Sequence, residues 1–198
     1  MMEYLPERAI DRHDLLPHLF PKPDDYLLLA GLAGAAKDAA AWTKETDNLL
    51  TLGGAMGGAI SMGLGMALAA PDRKVAVITG DGELLMNAGA LATVASAAPQ
   101  NLTIVCIDNG EHGETGGQPG HTSKRTRLAT LAAGAGIASV MTVSKPDELP
   151  AARDFLADGI WPKFLWVRVM PGPPADYKRN WDLIECRLRF RRANVAAI

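Results

Sequence analysis

A strand with one face in water alternates apolar and polar residues, and the clearest strands of this chain do not alternate. Residues 26–30, 75–78 and 102–107 are short, almost wholly apolar runs, and the second is mostly β-branched. Strands of that kind are covered on both faces, as in a parallel sheet held between layers of helices. Residues 137–143 and 164–169 read as two more strands, and residues 48–52 lead into a glycine-rich segment, 53–58. Between the strands lie helical segments: 33–42, a small-residue stretch to about 70, 83–98 ending before Pro99, 124–134 and 147–156. A first helix over 7–19 stops at Pro21-Lys22-Pro23, and Pro171–Pro174 separates a last helix, 176 to about 191. The expectation is an α/β fold: one domain over residues 1–198, its mainly parallel sheet carrying helices on both faces.

Composition removes several function classes. A hydrophobic share of 48% and a charged share of 21% suit a soluble domain, and a formal net charge of −2 argues against nucleic acid or a membrane surface as partner. No apolar stretch reaches the roughly 20 residues of a membrane span. Residues 1–12 carry Glu3, Glu7, Arg8 and Asp11 and have no secretory core, so a cytoplasmic protein is expected. The two cysteines, Cys106 and Cys186, cannot ligate a four-thiolate cluster, and Cys106 lies within an apolar run as a core residue.

Residues 80–82 read Gly-Asp-Gly. Flanking glycines let the backbone turn sharply and approach a ligand closely. A helix beginning near Glu83 would point free N–H groups and its positive end at the same spot, a setting for an anion. Aspartate there repels an anion unless a hard cation lies between them, and Mg²⁺ shares oxygen ligands between carboxylates and phosphates. Alone, the tripeptide reads equally well as a turn with a capping aspartate. Asn109 follows Asp81 by 28 positions, one helix plus one strand, so the two would emerge at adjacent strand ends. Ligands of parallel sheets bind beyond those ends. Asp108-Asn109-Gly110 is also an ordinary turn composition; joined to the first motif it reads as the second half of a site.

In that combination the chain resembles the thiamine-diphosphate-dependent enzymes, whose diphosphate-binding signature is Gly-Asp-Gly, a gap of under thirty residues and an asparagine. Where the family has a further asparagine this chain has Asp108. The resemblance implies that Asp81, Asn109 and the main-chain carbonyl of Glu111 hold Mg²⁺. Gly53-Gly54-Ala55-Met56-Gly57 is similar to the family's loop upstream of the aspartate. It implies that Gly54 offers its carbonyl to the exocyclic amine of the cofactor and that Met56 supports the cofactor in a bent shape; from the residue alone Met56 reads rather as a core methionine. Residues 109–119, and Thr115-Gly116-Gly117-Gln118-Pro119 above all, resemble the same loop in sulfopyruvate decarboxylase beta subunits and phosphonopyruvate decarboxylases. Over residues 5–172 the implied contacts to thiamine diphosphate are Gly54, Met56, Gly80, Asp81, Gly82, Glu83, Asn109, Glu111, His112 and Gly113.

The resemblance implies decarboxylation of a small anionic 2-oxo acid, sulfopyruvate or phosphonopyruvate, with Met56 and His112 as the catalytic residues. His112 reads either as a proton donor or substrate contact, or as a residue that packs the loop. His121 reads more simply as packing. The family also uses a glutamate from a pyrimidine-binding domain, for which 198 residues leave no room. A partner alpha subunit is therefore expected to supply it, in a hetero-oligomer that is a dimer of heterodimers or larger. Lys124, Arg125 and Arg127 read as a substrate-attracting cluster, a solvated helix start or an interface. The tail, 175–198, mixes basic residues with Trp181, Leu183, Ile184 and Phe190 and suits a helix docking on a partner. Competing readings are a carboligase, the thiamine-diphosphate subunit of a 2-oxo-acid:ferredoxin oxidoreductase, which usually carries cluster cysteines, and a non-catalytic cofactor-binding subunit.

Overall fold

The computed structural model describes residues 7–194. The readings made for residues 1–6 and for the end of the tail, 195–198, lie outside them. Strands are β1 (Tyr26–Ala30), β2 (Leu49–Thr51), β3 (Lys74–Gly80), β4 (Leu102–Asp108), a short antiparallel pair β5 (Glu111–His112) and β6 (Gln118–Pro119), β7 (Ser139–Val143) and β8 (Lys163–Arg168). Six of them form one sheet in the order β2–β1–β3–β4–β8–β7, and every neighbouring pair is parallel. The helices are α1 (Arg12–Leu19), α2 (Ala33–Thr43), α3 (Ala59–Ala69), α4 (Asp81–Met86), α5 (Ala90–Ala97), α6 (Leu128–Gly134), α7 (Leu149–Ala157) and α8 (Leu183–Asn194).

The absence of alternation in the apolar runs has its explanation in two cores. Successive residues of a strand point to opposite faces. Leu28, Ala30, Ala76, Ile78, Val105 and Val167 pack under α1, α2 and α7. Leu27, Leu29, Val75, Val77, Ile104 and Trp166 pack under α3, α5, α6 and Phe190 of α8. Helix α3 lies against β3 at Gly63, where an added Cβ would stand 2.0 Å from Val77 Cγ2. No helix among the described residues is long and apolar enough to cross a membrane.

Four element boundaries differ from expectation. Helix α1 starts at Arg12 rather than residue 7, because Ile10 is drawn into a parallel bridge with Val169 and Asp11 then caps the helix by accepting from the His13 N–H. The helix expected over 83–98 begins earlier, at Asp81, and is two helices: the Asn87 side chain donates to the Gly57 carbonyl at 3.1 Å, and residues 87–89 leave the helical path. Residues 124–127 precede α6 rather than forming its first turn. The last helix begins at Leu183 rather than 176. Upstream, Arg12 donates to the Gly172 carbonyl, Asp38 accepts from the Ala175 N–H and Glu45 from the Asn180 N–H, which holds 172–180 as a strap, and Asp182 caps the delayed helix through the Ile184 and Glu185 N–H groups.

Candidate functional site

Three loops leave the carboxyl edge of the sheet beside one another, after β1, β3 and β4. Gly80 pairs with Ile107 across β3 and β4, so Asp81 and Asp108 head adjacent turns and Asn109 follows at once. The loops border a cleft of about 660 Å³. Of the residues singled out in the sequence, Met56, Gly80, Asp81, Gly82, Glu83, Asn109, Glu111, His112 and Gly113 line it together. Gly54 belongs to the same glycine-rich turn, at φ +148°, but does not line the cleft. Met56 is 41% exposed and stands in the cleft, which removes the core reading for it.

Asp81 is almost fully buried. Burial, and next the charge of Asp108, push its carboxyl up to about 6, against the pull of its hydrogen bond with Thr122. The Thr122 hydroxyl sits between two carboxylates, 2.7 Å from Asp108 Oδ1 and 3.0 Å from Asp81 Oδ2. Asp108 is itself held by the Trp166 indole N–H at 2.8 Å and by Arg8 at 3.2 Å, with Arg168 Nε at 3.8 Å. Burial, then the charge of Arg8, lowers the Arg168 guanidinium to about 10, and its Nε and Nη1 find no hydrogen-bond partner. Two buried carboxylates thus meet at one hydroxyl. The Asn109 amide oxygen accepts from the Glu111 N–H at 3.2 Å, closing a turn at the start of β5. No group of three His, Cys, Asp or Glu side chains able to hold a metal occurs among the described residues. The candidate set instead combines one carboxylate, one amide oxygen and one carbonyl.

Glu83 is buried and does not project into solvent. Its Oε2 accepts from the Leu32 N–H at 3.0 Å and the Thr79 hydroxyl at 2.9 Å, tying α4 to the turn after β1, while Oε1 has no partner. The carboxylate occupies the space above Gly31, where any Cβ would fall within 2 Å of it. Because α4 has only six residues, the cleft faces a first turn of N–H groups rather than the end of a long helix. Cys106 is no nucleophile: burial, then the carboxylates of Asp81, Asp108 and Glu83, hold its thiol protonated.

The segment most specific in the sequence builds a lid. Strands β5 and β6 pair, Thr115 Oγ1 donates to Gln118 Oε1 at 2.9 Å, and Gln118 Nε2 returns to the Thr115 carbonyl at 2.7 Å. Gly116 and Gly117 take φ of +115° and +75°, which residues with a side chain rarely adopt. His112 lies at the lid's base, with its ring edge to His121 at a centroid distance of 6.3 Å and its Nδ1 over Gly82. Sequence reasoning missed the far wall: Arg12, Leu32–Ala35, Lys37 and the strap residues Gly172–Pro174. Gly31 at a strand end signalled a loop there, but small apolar residues carry no signature of what they face. Thr122 was missed as well, 41 positions from Asp81. The tail helix turns Cys186 and Phe190 onto its own sheet and leaves Ile184 exposed.

Residues 31–159 match the family model described as thiamine pyrophosphate enzyme, C-terminal TPP binding domain. The sulfopyruvate decarboxylase subunit beta of Methanocaldococcus jannaschii is 44% identical over 103 residues, 52% of this chain and 54% of that protein. The phosphonopyruvate decarboxylase of Streptomyces hygroscopicus is 38% identical over 154 residues, 73% of this chain and 38% of that protein. The matches thus span about half of the first relative and little more than a third of the second. The 4-hydroxybenzoylformate decarboxylase structure from Rhodococcus jostii RHA1 shares the fold, with a TM-score of 0.64 and 20% identity over 89% of this chain and 36% of that one.

Proposed function

Because the chain belongs to the thiamine pyrophosphate enzymes through their C-terminal TPP binding domain, we propose that it is the diphosphate-binding subunit of a Mg²⁺-dependent decarboxylase of small anionic 2-oxo acids. The observation that carries this reading is the meeting of Asp81 and Asn109 at neighbouring strand ends, in one cleft with Met56. The residues present fit the group: a buried carboxylate crowded by a second one suits a cation, and the backbone at Gly80 stands open, an added Cβ meeting only the Ile107 carbonyl at 4.0 Å. Asp81, Asn109 and the Glu111 carbonyl would hold Mg²⁺; Gly80, Gly82 and Glu83 would border the diphosphate; Met56 would meet the rings, with Gly54 in the same turn outside the cleft lining.

Thiamine diphosphate, when bound, supplies the carbon nucleophile and the electron sink for loss of CO₂. This chain's own residues do the rest by position. Met56, which lines the cleft, would support the rings and limit their orientation. His112 and Gly113, at the base of the lid, border the mouth of the cleft, where an imidazole can hold or give a proton to the substrate. The lid, with Glu114 and Thr115, screens that proton from water. Lys37 adds positive charge to the wall that an anionic substrate passes. Sulfopyruvate and phosphonopyruvate, each with a carboxylate, a ketone and a second anion, suit that wall and match what the named relatives act on. A pyrimidine-binding partner supplying the catalytic glutamate completes the site, in keeping with relatives named as subunit beta.

The test is CO₂ release from a panel of 2-oxo acids by the chain co-purified with its partner, with thiamine diphosphate and Mg²⁺. Turnover of the sulfonated or phosphonylated acid by the pair, and none by the chain alone, is expected. Full turnover by the chain alone would remove the partner. Asp81→Ala is expected to abolish Mg²⁺-dependent cofactor binding, and unchanged affinity would remove the metal assignment.

A further inference from the structure

The far wall of the cleft carries one cation that the fold leaves unengaged. Helix α2 presents Ala33, Gly34, Ala35 and Lys37 to the cleft. A helical side chain leans toward the N-terminal end of its helix, so Lys37, one turn beyond Ala33, lies over that first turn. Behind it the wall is closed by Arg12: an added Cβ at Gly34 would stand 2.3 Å from Arg12 Nη2. Arg12 is committed to Asp38 and to the Gly172 carbonyl. Lys37 is half-buried and, among the described residues, makes no hydrogen bond or ion pair. Its next neighbour in sequence, Asp38, faces Arg12 instead. The lid turn Gly113–Thr115, which follows His112, packs against the same helix.

From this arrangement we infer that Lys37 is a specificity-determining residue: its ammonium receives the second anion of the substrate, the sulfonate or phosphonate that a plain 2-oxo acid lacks. The inference rests on the decarboxylase reading proposed above. Two basic side chains line the cleft, Arg12 and Lys37, and only the second has donors to spare. Glu111 and Glu114 line it too, on the lid side, and repel a dianionic substrate unless a positive charge answers it. An ammonium is a compact charge with three donors on a long stem, which suits the oxygens of a sulfonate or phosphonate. Charge-assisted hydrogen bonds of this kind are the stronger ones, and losing one typically weakens binding by about 10- to 100-fold.

The experiment uses the co-purified pair loaded with thiamine diphosphate and Mg²⁺ and reads two ratios. The first is kcat/KM for sulfopyruvate or phosphonopyruvate, whichever the parent turns over faster, relative to pyruvate. The second is calorimetric affinity for the matching 2-hydroxy acid, which cannot lose CO₂ in the same way, relative to lactate. Lys37→Met keeps the stem and loses the charge; both ratios are expected to fall by about tenfold or more. Lys37→Arg restores a cation and is expected to hold both within about fivefold of the parent, a recovery that packing alone would not produce. Ratios for Lys37→Met within about twofold of the parent overturn the role of Lys37 and leave the decarboxylase reading standing. A fall in thiamine diphosphate affinity larger than the fall in affinity for the hydroxy acid also overturns it, since the ammonium then faces the diphosphate. A parent pair with no preference for either acid over pyruvate overturns the substrate reading, and this role with it.

Discussion

Two buried clusters of arginine and aspartate stand near the carboxyl edge of the sheet, and they are built in opposite ways. In the first, Arg12 meets Asp38 through Nε at 2.9 Å and Nη2 at 2.7 Å, Asp38 uses its other oxygen for the Ala175 N–H, and Arg12 Nη1 reaches the Gly172 carbonyl at 3.5 Å. Charges are one to one and the hydrogen bonds are complementary. In the second, Asp81 and Asp108 share one hydroxyl, and Arg168 keeps two buried N–H groups without a partner. A closed pair joins three chain segments and is structural. A pair of carboxylates pushed together raises the cost of ionising Asp81 even with Arg8 beside Asp108, and such arrangements concentrate where a ligand binds. The difference separates the frame of the cleft from its chemistry.

The largest effect that would break this contrast is in the closed cluster. Arg12→Met leaves Asp38 buried with one main-chain donor and no counter-charge. Removing one member of a buried pair typically costs about 3–5 kcal/mol, so urea unfolding is expected to show a loss of that order, with the strap at 172–180 becoming sensitive to protease. A loss below about 1 kcal/mol would mean that the pair behaves like a surface ion pair and that the cluster is no frame.

Asp81→Asn probes the second cluster and carries the opposite sign. The Asp81 carboxyl lies at about 6 in the folded chain against 3.8 for an ordinary aspartate, so the folded state holds that proton more tightly than the unfolded one. Its stability contribution is fully present below pH 4 and is lost as pH rises through 6. At about 1.36 kcal/mol per unit, the loss by pH 8 is on the order of 3 kcal/mol. In chelator-treated protein Asp81→Asn is therefore expected to be more stable than the parent at pH 8 and nearly equal to it at pH 4. Mg²⁺ is expected to raise the parent's melting temperature more at pH 8 than at pH 5, and the variant's at neither. Destabilisation by Asp81→Asn at pH 8 in chelator would contradict the contrast directly.

The two clusters also differ in how far they could be read in advance. Asp81 and Asn109 were legible because each sits where an apolar strand ends, and strand ends in a parallel sheet lie side by side. Even the mistaken single helix between them did not matter, since the register of Gly80 with Ile107 fixes the neighbours whatever the connection does. The loop stood out through Thr115–Pro119 only as a resemblance, and its β5–β6 hairpin was not legible: the side chains that close it act over three residues within a stretch that reads as irregular. Arg12 and Asp38 carried no signal: they are 26 positions apart on two helices, and only packing joins them. Thr122 was hidden for the same reason. The late start of α8 also depends on partners more than a hundred positions away, Asp38 and Glu45, which hold the strap's N–H groups before a helix can use them.

The smallest effect is the sharpest for the comparison, because it changes an arginine in each cluster to the same residue. Arg168→Met removes a buried guanidinium whose Nε and Nη1 are unpaired and whose contact with Asp108 is 3.8 Å, too long for a hydrogen bond. Asp108 keeps Trp166, Arg8 and Thr122. Methionine fills a long narrow space and can lie against the Trp166 ring that the guanidinium now faces at 5.3 Å. Replacing a poorly paired buried charge by an apolar side chain of similar length is often neutral, so unfolding free energy is expected to change by less than about 1 kcal/mol. The same substitution at Arg12 should cost several times more. Equal losses at the two positions would show that Arg168 is as firmly engaged as Arg12, and that the two clusters differ only in their hydrogen-bond geometry and not in their purpose.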